Sequence, residues 1–146
     1  MSFVPDGFEP PRQLVADGFT LEPLDPEHNE ADYAAWTSSM EHIQASPGWA
    51  ETDWPHEMTL EENRGDLKRH AEDFAARRGF TYTVLASANG DVIGCVYIYP
   101  ARDGEHDARV RSWVRADRAE LDAPLRHMVR AWLRDAWPFQ NVDYAR

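Results

Sequence analysis

Three arginines and a tryptophan alternate along the strand-like segment 108–115 and share one predicted face of it. Arg109, Arg111, Trp113 and Arg115 occupy the odd positions, whereas the even positions hold small or apolar residues. Guanidinium groups bind anions through paired hydrogen bonds, and an aromatic ring can form one wall of a pocket. The pattern favours an anion or ligand site. The alternative is an exposed face whose arginines pair with neighbouring acids.

Two tryptophans lie in a segment rich in proline, tryptophan and histidine, residues 46–58, between two predicted helices. Trp49 and Trp54 are candidates for holding an amine by cation–π contact, with Glu51 or Asp53 supplying negative charge. The alternative is that the two rings only pack a proline-rich loop onto the core.

Glu41, at the end of the first predicted helix, is the candidate general base, because an ammonium group must lose a proton before it can attack. The alternative role for Glu41 is a solvated carboxylate at a helix end. Tyr97 and Tyr99, two positions apart in an apolar strand, are candidates for donating hydrogen bonds inside a pocket, although such tyrosines also occur in cores.

Composition disfavours several classes of function. The six histidines lack metal-ligand spacing, and a single cysteine cannot form an internal disulfide or a thiolate zinc site. No apolar run approaches the ~18–20 residues of a membrane span. A net charge of −11 disfavours nucleic acid. We therefore predict no metal, membrane or nucleic-acid partner, and the cysteine usage favours a cytoplasmic location.

The elements that position these residues follow from periodicity and from turn signals. Thr59 and Glu62 form a capping box that opens a helix, and Asn89-Gly90 marks a hairpin turn. Asp122 is the expected N-cap of the last helix. The full prediction is a strand at 19–24, a helical stripe from 33 to 43, a helix that opens at Thr59 and stops at Gly79, a hairpin over 80–99 whose second strand is 92–99, a strand at 108–115, a helix at 122–136 and a short strand at 142–144.

This order of elements resembles the GNAT superfamily of acyl-CoA-dependent N-acetyltransferases. The sharpest local similarity is the hairpin TYTVL…GDVIGCVYIY, residues 81–99, which is similar to the second and third strands of many family members. The resemblance implies a single α/β domain over residues 19–146, in which helices flank a mixed, mostly antiparallel sheet. Residues 1–18 are expected to form an extended arm packed on that domain.

The resemblance also implies a site and a reaction, namely transfer of an acetyl group from acetyl-CoA to a small cationic amine. The implied cofactor contacts are Trp113, Val114, Arg115, Arg118 and Ala123. The implied substrate contacts are Trp49, Trp54, Tyr97, Tyr99 and Arg111. Glu41 and Tyr144 are the candidate catalytic residues.

The segment between the 108–115 strand and the last helix departs from the family pattern. In the family this loop is rich in glycine, so that backbone N–H groups can approach the pyrophosphate of CoA. Residues 115–126 contain no glycine, and Asp122 and Pro124 stand where an anion would need free N–H groups. A catalytically inactive module that binds a ligand or forms oligomers, without binding CoA, is therefore the alternative function. A chain ending at a short last strand also suggests a homodimer that covers the sheet edge.

Overall fold

The computed structural model describes residues 2–144, and a six-stranded sheet in the order β1-β2-β3-β4-β5-β6 forms its centre. The strands are β1 (Leu14–Val15), β2 (Phe19–Pro23), β3 (Phe80–Ala86), β4 (Val92–Pro100), β5 (Ala108–Val114) and β6 (Val142–Tyr144). Neighbouring strands are antiparallel except β5 and β6, which are parallel. The helices are α1 (Asn29–Thr37), α2 (Met40–Ala45), α3 (Leu60–Ala75) and α4 (Asp122–Ala136). This mixed sheet flanked by helices confirms the predicted fold class.

The two sheet faces carry separate cores because side chains alternate along each strand. One face, with Phe80, Tyr82 and Val110 among its buried residues, packs against α4 and the N-terminal residues, including Val4. The other face packs against α1, α2, α3 and the 46–58 segment. None of the helices in residues 2–144 has the length and apolarity needed to cross a bilayer.

The capping box that opens α3 is confirmed. Thr59 Oγ1 accepts a hydrogen bond from the Glu62 N–H at 3.0 Å, and Glu62 Oε1 accepts one from the Thr59 N–H at 2.8 Å. The predicted stripe from 33 to 43 is instead broken into α1 and α2. Ser38 Oγ donates to the Ala35 carbonyl, and Ser39 adopts a non-helical φ of −133°. Local side-chain bonds of this kind compete with helical ones.

Helix α4 begins at residue 122 and ends at residue 136, as predicted, but Asp122 is not its N-cap. Residues 116–121 form a 3₁₀ helix that runs directly into α4, so the Asp122 N–H already donates to the Ala119 carbonyl. The Asp122 carboxylate instead accepts from His42 Nε2 at 2.9 Å. The prediction was wrong because a preceding helical turn supplied the partners that a cap would have supplied.

Strands β4 and β5 approach each other closely at Gly94, which is paired with Val114. A Cβ added at Gly94 would lie 2.4 Å from the Trp113 carbonyl oxygen, closer than any side-chain atom can approach. Glycine is therefore needed here for strand contact rather than for an unusual φ.

Candidate functional site

A cavity of about 440 Å³ lies between helices α1 and α3, the 46–58 segment and strands β4 and β5. All five residues predicted to bind a substrate line it, namely Trp49, Trp54, Tyr97, Tyr99 and Arg111. They come from one loop and two neighbouring strands, so the sheet brings together residues up to 62 positions apart. A concave site with aromatic walls and a few polar groups is typical of small-molecule binding.

The aromatic wall of the cavity is fixed by packing and by hydrogen bonds. Trp49 Nε1 donates to the Ser112 carbonyl at 2.9 Å, and its ring centre lies 5.2 Å from that of Trp54 and 5.6 Å from that of Tyr97. Trp113 Nε1 donates to the Tyr97 hydroxyl at 2.9 Å. The tryptophans of the 46–58 segment thus pack on the sheet and also line the cavity. Their contact with an amine stays a prediction.

Asp32 contributes a buried carboxylate to the cavity wall, with only 4% of the residue exposed. Its Oδ2 accepts from Asn63 Nδ2 at 3.1 Å, while Asn63 also contacts Asn29 and accepts from Trp36 Nε1 at 3.0 Å. No ion pair within residues 2–144 includes Asp32. Burial raises the pKa of Asp32 to about 6, although the Asn63 hydrogen bond opposes the shift.

Sequence reasoning missed Asp32, although the pattern held a signal for it. Asp32 precedes Trp36 by four residues, which places the two side chains on one helix face. A carboxylate on the inward face of a helix is unusual, because a buried charge is costly unless something compensates it. That position marks Asp32 as a candidate site residue.

His70, which sequence reasoning also missed, belongs to a hydrogen-bonded chain at the cavity wall. The Tyr99 hydroxyl donates to Asp73 Oδ2 at 2.8 Å, so its oxygen is free to accept from His70 Nδ1, 2.9 Å away. Thr81 Oγ1 lies 3.0 Å from the same nitrogen. This pattern assigns the imidazole proton to Nδ1. Nε2, for which the described residues provide no hydrogen-bond partner, is left as an acceptor.

NMR titration of the imidazoles is expected to give His70 a midpoint near pH 4. Burial lowers the pKa of His70 from 6.5 to about 4, and the Arg69 charge adds to the shift. His106 serves as the comparison in the same spectrum, because its hydrogen bond to Asp103 raises the pKa of its imidazole. In the unfolded chain His70 takes up its proton near pH 6.5, whereas in the folded protein it does so only near pH 4. The unfolded chain therefore binds more protons between these pH values, so the folded protein loses stability as the pH falls from 6.5 towards 4. A His70 midpoint at 6.5 or higher would contradict this environment.

Two arginines of β5 line the cavity but already have partners. Arg111 Nε donates to the Gly48 carbonyl at 2.7 Å, and its Nη2 lies 3.4 Å from Glu51. Arg109 Nε donates to Asp143 at 3.0 Å. The strand face therefore lines the cavity and forms ion pairs with neighbouring acids, whereas its role as an anion or ligand site stays a prediction.

Two further arginines stand at the rim of the cavity. Arg69 pairs with Asp66 at 2.9 Å on the same helix. Arg102, which is exposed in the loop after β4, makes neither a hydrogen bond nor an ion pair with any part of residues 2–144. Arg102 is thus a cavity-lining cation that a bound anion could reach without displacing a protein carboxylate.

A group of possible metal ligands lies beyond this rim. Asp103, His106 and Asp143 each place one ligand atom within 4.8 Å of the others. The guanidinium of Arg109 already contacts both carboxylates, at 3.6 Å from Asp103 and 3.0 Å from Asp143. A cation of the protein thus already contacts two of the three candidate ligands.

The structure does not bring the two candidate catalytic residues together. Glu41 is exposed on α2 and is not among the described residues that line the cavity. Tyr144 lies on the opposite sheet face, where its hydroxyl bonds with Ser112 Oγ and the Arg130 guanidinium lies 4.9 Å from its ring centre. Burial raises the pKa of Tyr144 to about 12. Proton-transfer roles for Glu41 and Tyr144 stay predictions.

The predicted cofactor contacts spread over a buried strand end and an exposed loop. Trp113 and Val114 are fully buried at the end of β5, on opposite sheet faces. Ala123 is exposed in the first turn of α4. Arg115 and Arg118 lie at the loop, where each pairs with an acid two residues further along the chain, at 2.9 and 3.1 Å.

Two N–H groups at the start of the loop, which a pyrophosphate could otherwise use, already have partners within the protein. The Ala116 N–H donates to Ser39 Oγ at 2.8 Å, and the Arg118 N–H donates to the Arg115 carbonyl at 2.9 Å. The Asp122 carboxylate stands at the N-terminus of α4, with Arg126 3.9 Å away. In this conformation residues 115–122 do not fit the pyrophosphate of CoA held by backbone N–H groups.

Comparison with known proteins identifies the family to which this chain belongs. The family model of the acetyltransferase (GNAT) domain matches residues 19–146, so this chain belongs to the GNAT acetyltransferase family. The search of curated protein sequences returns no match.

Solved GNAT structures share the fold at low sequence identity. The ribosomal-protein-S5-alanine acetyltransferase from Vibrio fischeri superposes with a TM-score of 0.67 at 14% identity, over 89% of this chain and 71% of that one. The acetyltransferase from Salmonella typhimurium that modifies the N-terminal serine of ribosomal protein L7/L12 gives 0.61 at 13%, over 83% and 67%. RimL, a ribosomal L7/L12 alpha-N-protein acetyltransferase in complex with coenzyme A, gives 0.64 at 15%, over 83% and 67%.

Proposed function

We propose that this GNAT-family chain is a ligand-binding domain that holds a small amine in the cavity and does not bind CoA through residues 115–122. The observation that carries this proposal is the buried Asp32 carboxylate, which lines an aromatic cavity and forms no ion pair within residues 2–144. A bound ammonium would compensate that charge. Trp49 and Trp54 would add cation–π attraction, worth about 0.5–2 kcal/mol.

The closed state of the 115–122 loop supports the part of the proposal that concerns CoA. A pyrophosphate bound there would have to separate the Ala116 N–H from Ser39 and tolerate the Asp122 carboxylate. A like charge in a partly screened site costs on the order of 1–4 kcal/mol. Each kcal/mol of that cost lowers the affinity about fivefold.

The second candidate is an N-acetyltransferase that moves an acetyl group from acetyl-CoA to a small amine. It is favoured by the family match and by a GNAT neighbour solved with coenzyme A. The ion pairs of Arg115 and Arg118 are exposed and therefore weak, so either arginine could exchange its carboxylate for a phosphate. Trp113, Val114 and Ala123 would then form the adjoining cofactor contacts.

Calorimetric titration of acetyl-CoA and CoA into the protein separates the two candidates. The ligand-binding proposal expects no heat and no thermal shift at millimolar concentration. Micromolar binding that Arg118→Glu weakens at least tenfold would overturn it and establish that the arginines of the loop bind the cofactor, as the transferase requires. Arg134→Glu is the matched control, because Arg134 is exposed near the far end of α4 and pairs only locally with Asp135.

We also propose that the chain acts as a cytoplasmic homodimer. The three-residue strand β6 is the last described strand of the sheet and pairs only with β5 within residues 2–144. A partner copy would cover that edge. Sedimentation velocity tests this, and a single monomeric species at high concentration would contradict it.

A further inference from the structure

We propose that the cavity ligand carries an anionic group at the end opposite its amine, as an ω-amino acid does. This inference rests on the proposed function, because it takes the cavity to be the amine site. It adds the second recognition element of the ligand.

The strand register orders the cavity from a buried end to an exposed end. Tyr97 pairs with Arg111, and Tyr99 pairs with Arg109 one row further out, so each pair points to the same sheet face. Cys95, one row further in, is fully buried, whereas Arg102 beyond the end of β4 is exposed. The cavity floor therefore runs from buried to exposed along β4.

The negative end of the cavity lies at the buried rows. Asp32 and Tyr97 both line the cavity there, and the Asp32 charge adds to the burial that raises the pKa of the Tyr97 hydroxyl. Arg111 shares the Tyr97 row, but its hydrogen bonds go to Gly48 and Glu51. A ligand ammonium at this end would meet a buried carboxylate that forms no ion pair within residues 2–144.

The positive end lies at the exposed rows. Arg109 stands beside Tyr99, although two carboxylates share its guanidinium. Arg102 lines the same rim without an acidic partner in the described chain. A small anion can therefore pair with Arg102 and approach Arg109. Asp66 and Arg69 neutralise each other and add no net charge to this rim.

The two ends of the cavity set the ligand class. Asp32 lies on α1 and Arg102 lies in the loop after β4, and both line the cavity. An alkyl chain with an amine at one end and a carboxylate at the other offers one partner to each of them. We therefore take 5-aminopentanoate and 6-aminohexanoate as probes.

Calorimetry with matched ligands tests the inference. The expected result is that 5-aminopentanoate binds at least tenfold more tightly than pentylamine, which lacks the carboxylate. If pentylamine binds but 5-aminopentanoate binds no more tightly, the anionic end is refuted and the amine site stands. If neither amine binds at millimolar concentration, the proposed function fails and this inference fails with it.

Two variants assign the ends. Arg102→Ala is expected to reduce the affinity for 5-aminopentanoate about tenfold and leave that for pentylamine unchanged. Asp32→Asn is expected to weaken both amines. Arg64→Ala is the control, because Arg64 is exposed on α3 and is not among the described cavity-lining residues. Equal losses in Arg102→Ala and Arg64→Ala would show a general charge effect and would overturn the assignment of Arg102.

Discussion

Replacing Asp32 with asparagine is expected to raise the free energy of unfolding by up to about 3 kcal/mol at pH 8 and to leave it unchanged near pH 4. Burial raises the pKa of this carboxyl from 3.8 to about 6, so the folded state resists its ionisation. A shift of about two pKa units corresponds to about 3 kcal/mol. Asparagine has the same shape and can still accept from Asn63 without the charge.

The pH dependence follows from the direction of the shift. Between pH 3.8 and 6 the folded protein binds more protons at Asp32 than the unfolded chain does, so the ionisation cost grows as the pH rises through that range. The cost is absent below pH 3.8 and fully present above pH 6. Denaturant unfolding at several pH values measures it directly.

Asp66→Asn is the matched control for this prediction. Asp66 also lines the cavity but pairs with Arg69 near the surface, so its loss should change stability by less than about 1 kcal/mol. A wild-type protein that is more stable than Asp32→Asn at pH 8 would show that the carboxylate has a cationic partner in solution. Increased stability with lost amine binding would instead mark Asp32 as a residue kept for function.

Replacing Gly94 with alanine is expected to lower the free energy of unfolding by about 2–4 kcal/mol. The new Cβ would lie 2.4 Å from the Trp113 carbonyl oxygen, and a backbone atom in a central strand cannot move aside cheaply. Strands β4 and β5 would have to separate, and their ladder forms the floor of the cavity. Chemical denaturation measures the loss.

Gly65→Ala gives the same chemical change without the clash. Gly65 is exposed inside α3, and no atom lies within 4 Å of its added Cβ. Alanine favours a helix over glycine by about 1 kcal/mol, so this variant should be more stable than the wild type. If both variants change stability in the same direction, the close approach of β4 and β5 is not what requires glycine at position 94.

The strands and the long helices were predictable because their signals are local. The hairpin at Asn89-Gly90, the capping box of α3 and the bounds of α4 all depend on residues within a few positions of one another. The break between α1 and α2 was not predicted, since the apolar stripe continues through it. At the break, the Ser38 hydroxyl hydrogen-bonds the Ala35 carbonyl and the Ser39 hydroxyl. The spacing of apolar residues gives no information about such side-chain hydrogen bonds.

The candidate site was predictable in part. The five predicted substrate contacts meet in one cavity, because aromatic and charged residues on neighbouring strands and loops mark that face. Asp32 and His70 were both missed. The spacing of Asp32 from Trp36 marks an inward helix face, but the hydrogen-bond partners that define both environments are distant in sequence. Asp32 meets Asn63 31 positions away, and His70 meets Tyr99 29 positions away. A single sequence does not reveal such pairings.

Ser39 and His42 contact the loop before α4 and the first residue of α4, and these contacts restrict how the domain could gain or lose CoA binding. Ser39 takes the Ala116 N–H, and His42 holds the Asp122 carboxylate, so helix α2 and the loop before α4 form one linked unit. Inserting glycines into the loop alone would leave both contacts in place. An evolutionary path between a CoA-binding and a CoA-free form of this domain therefore requires coordinated substitutions in two segments about 80 residues apart.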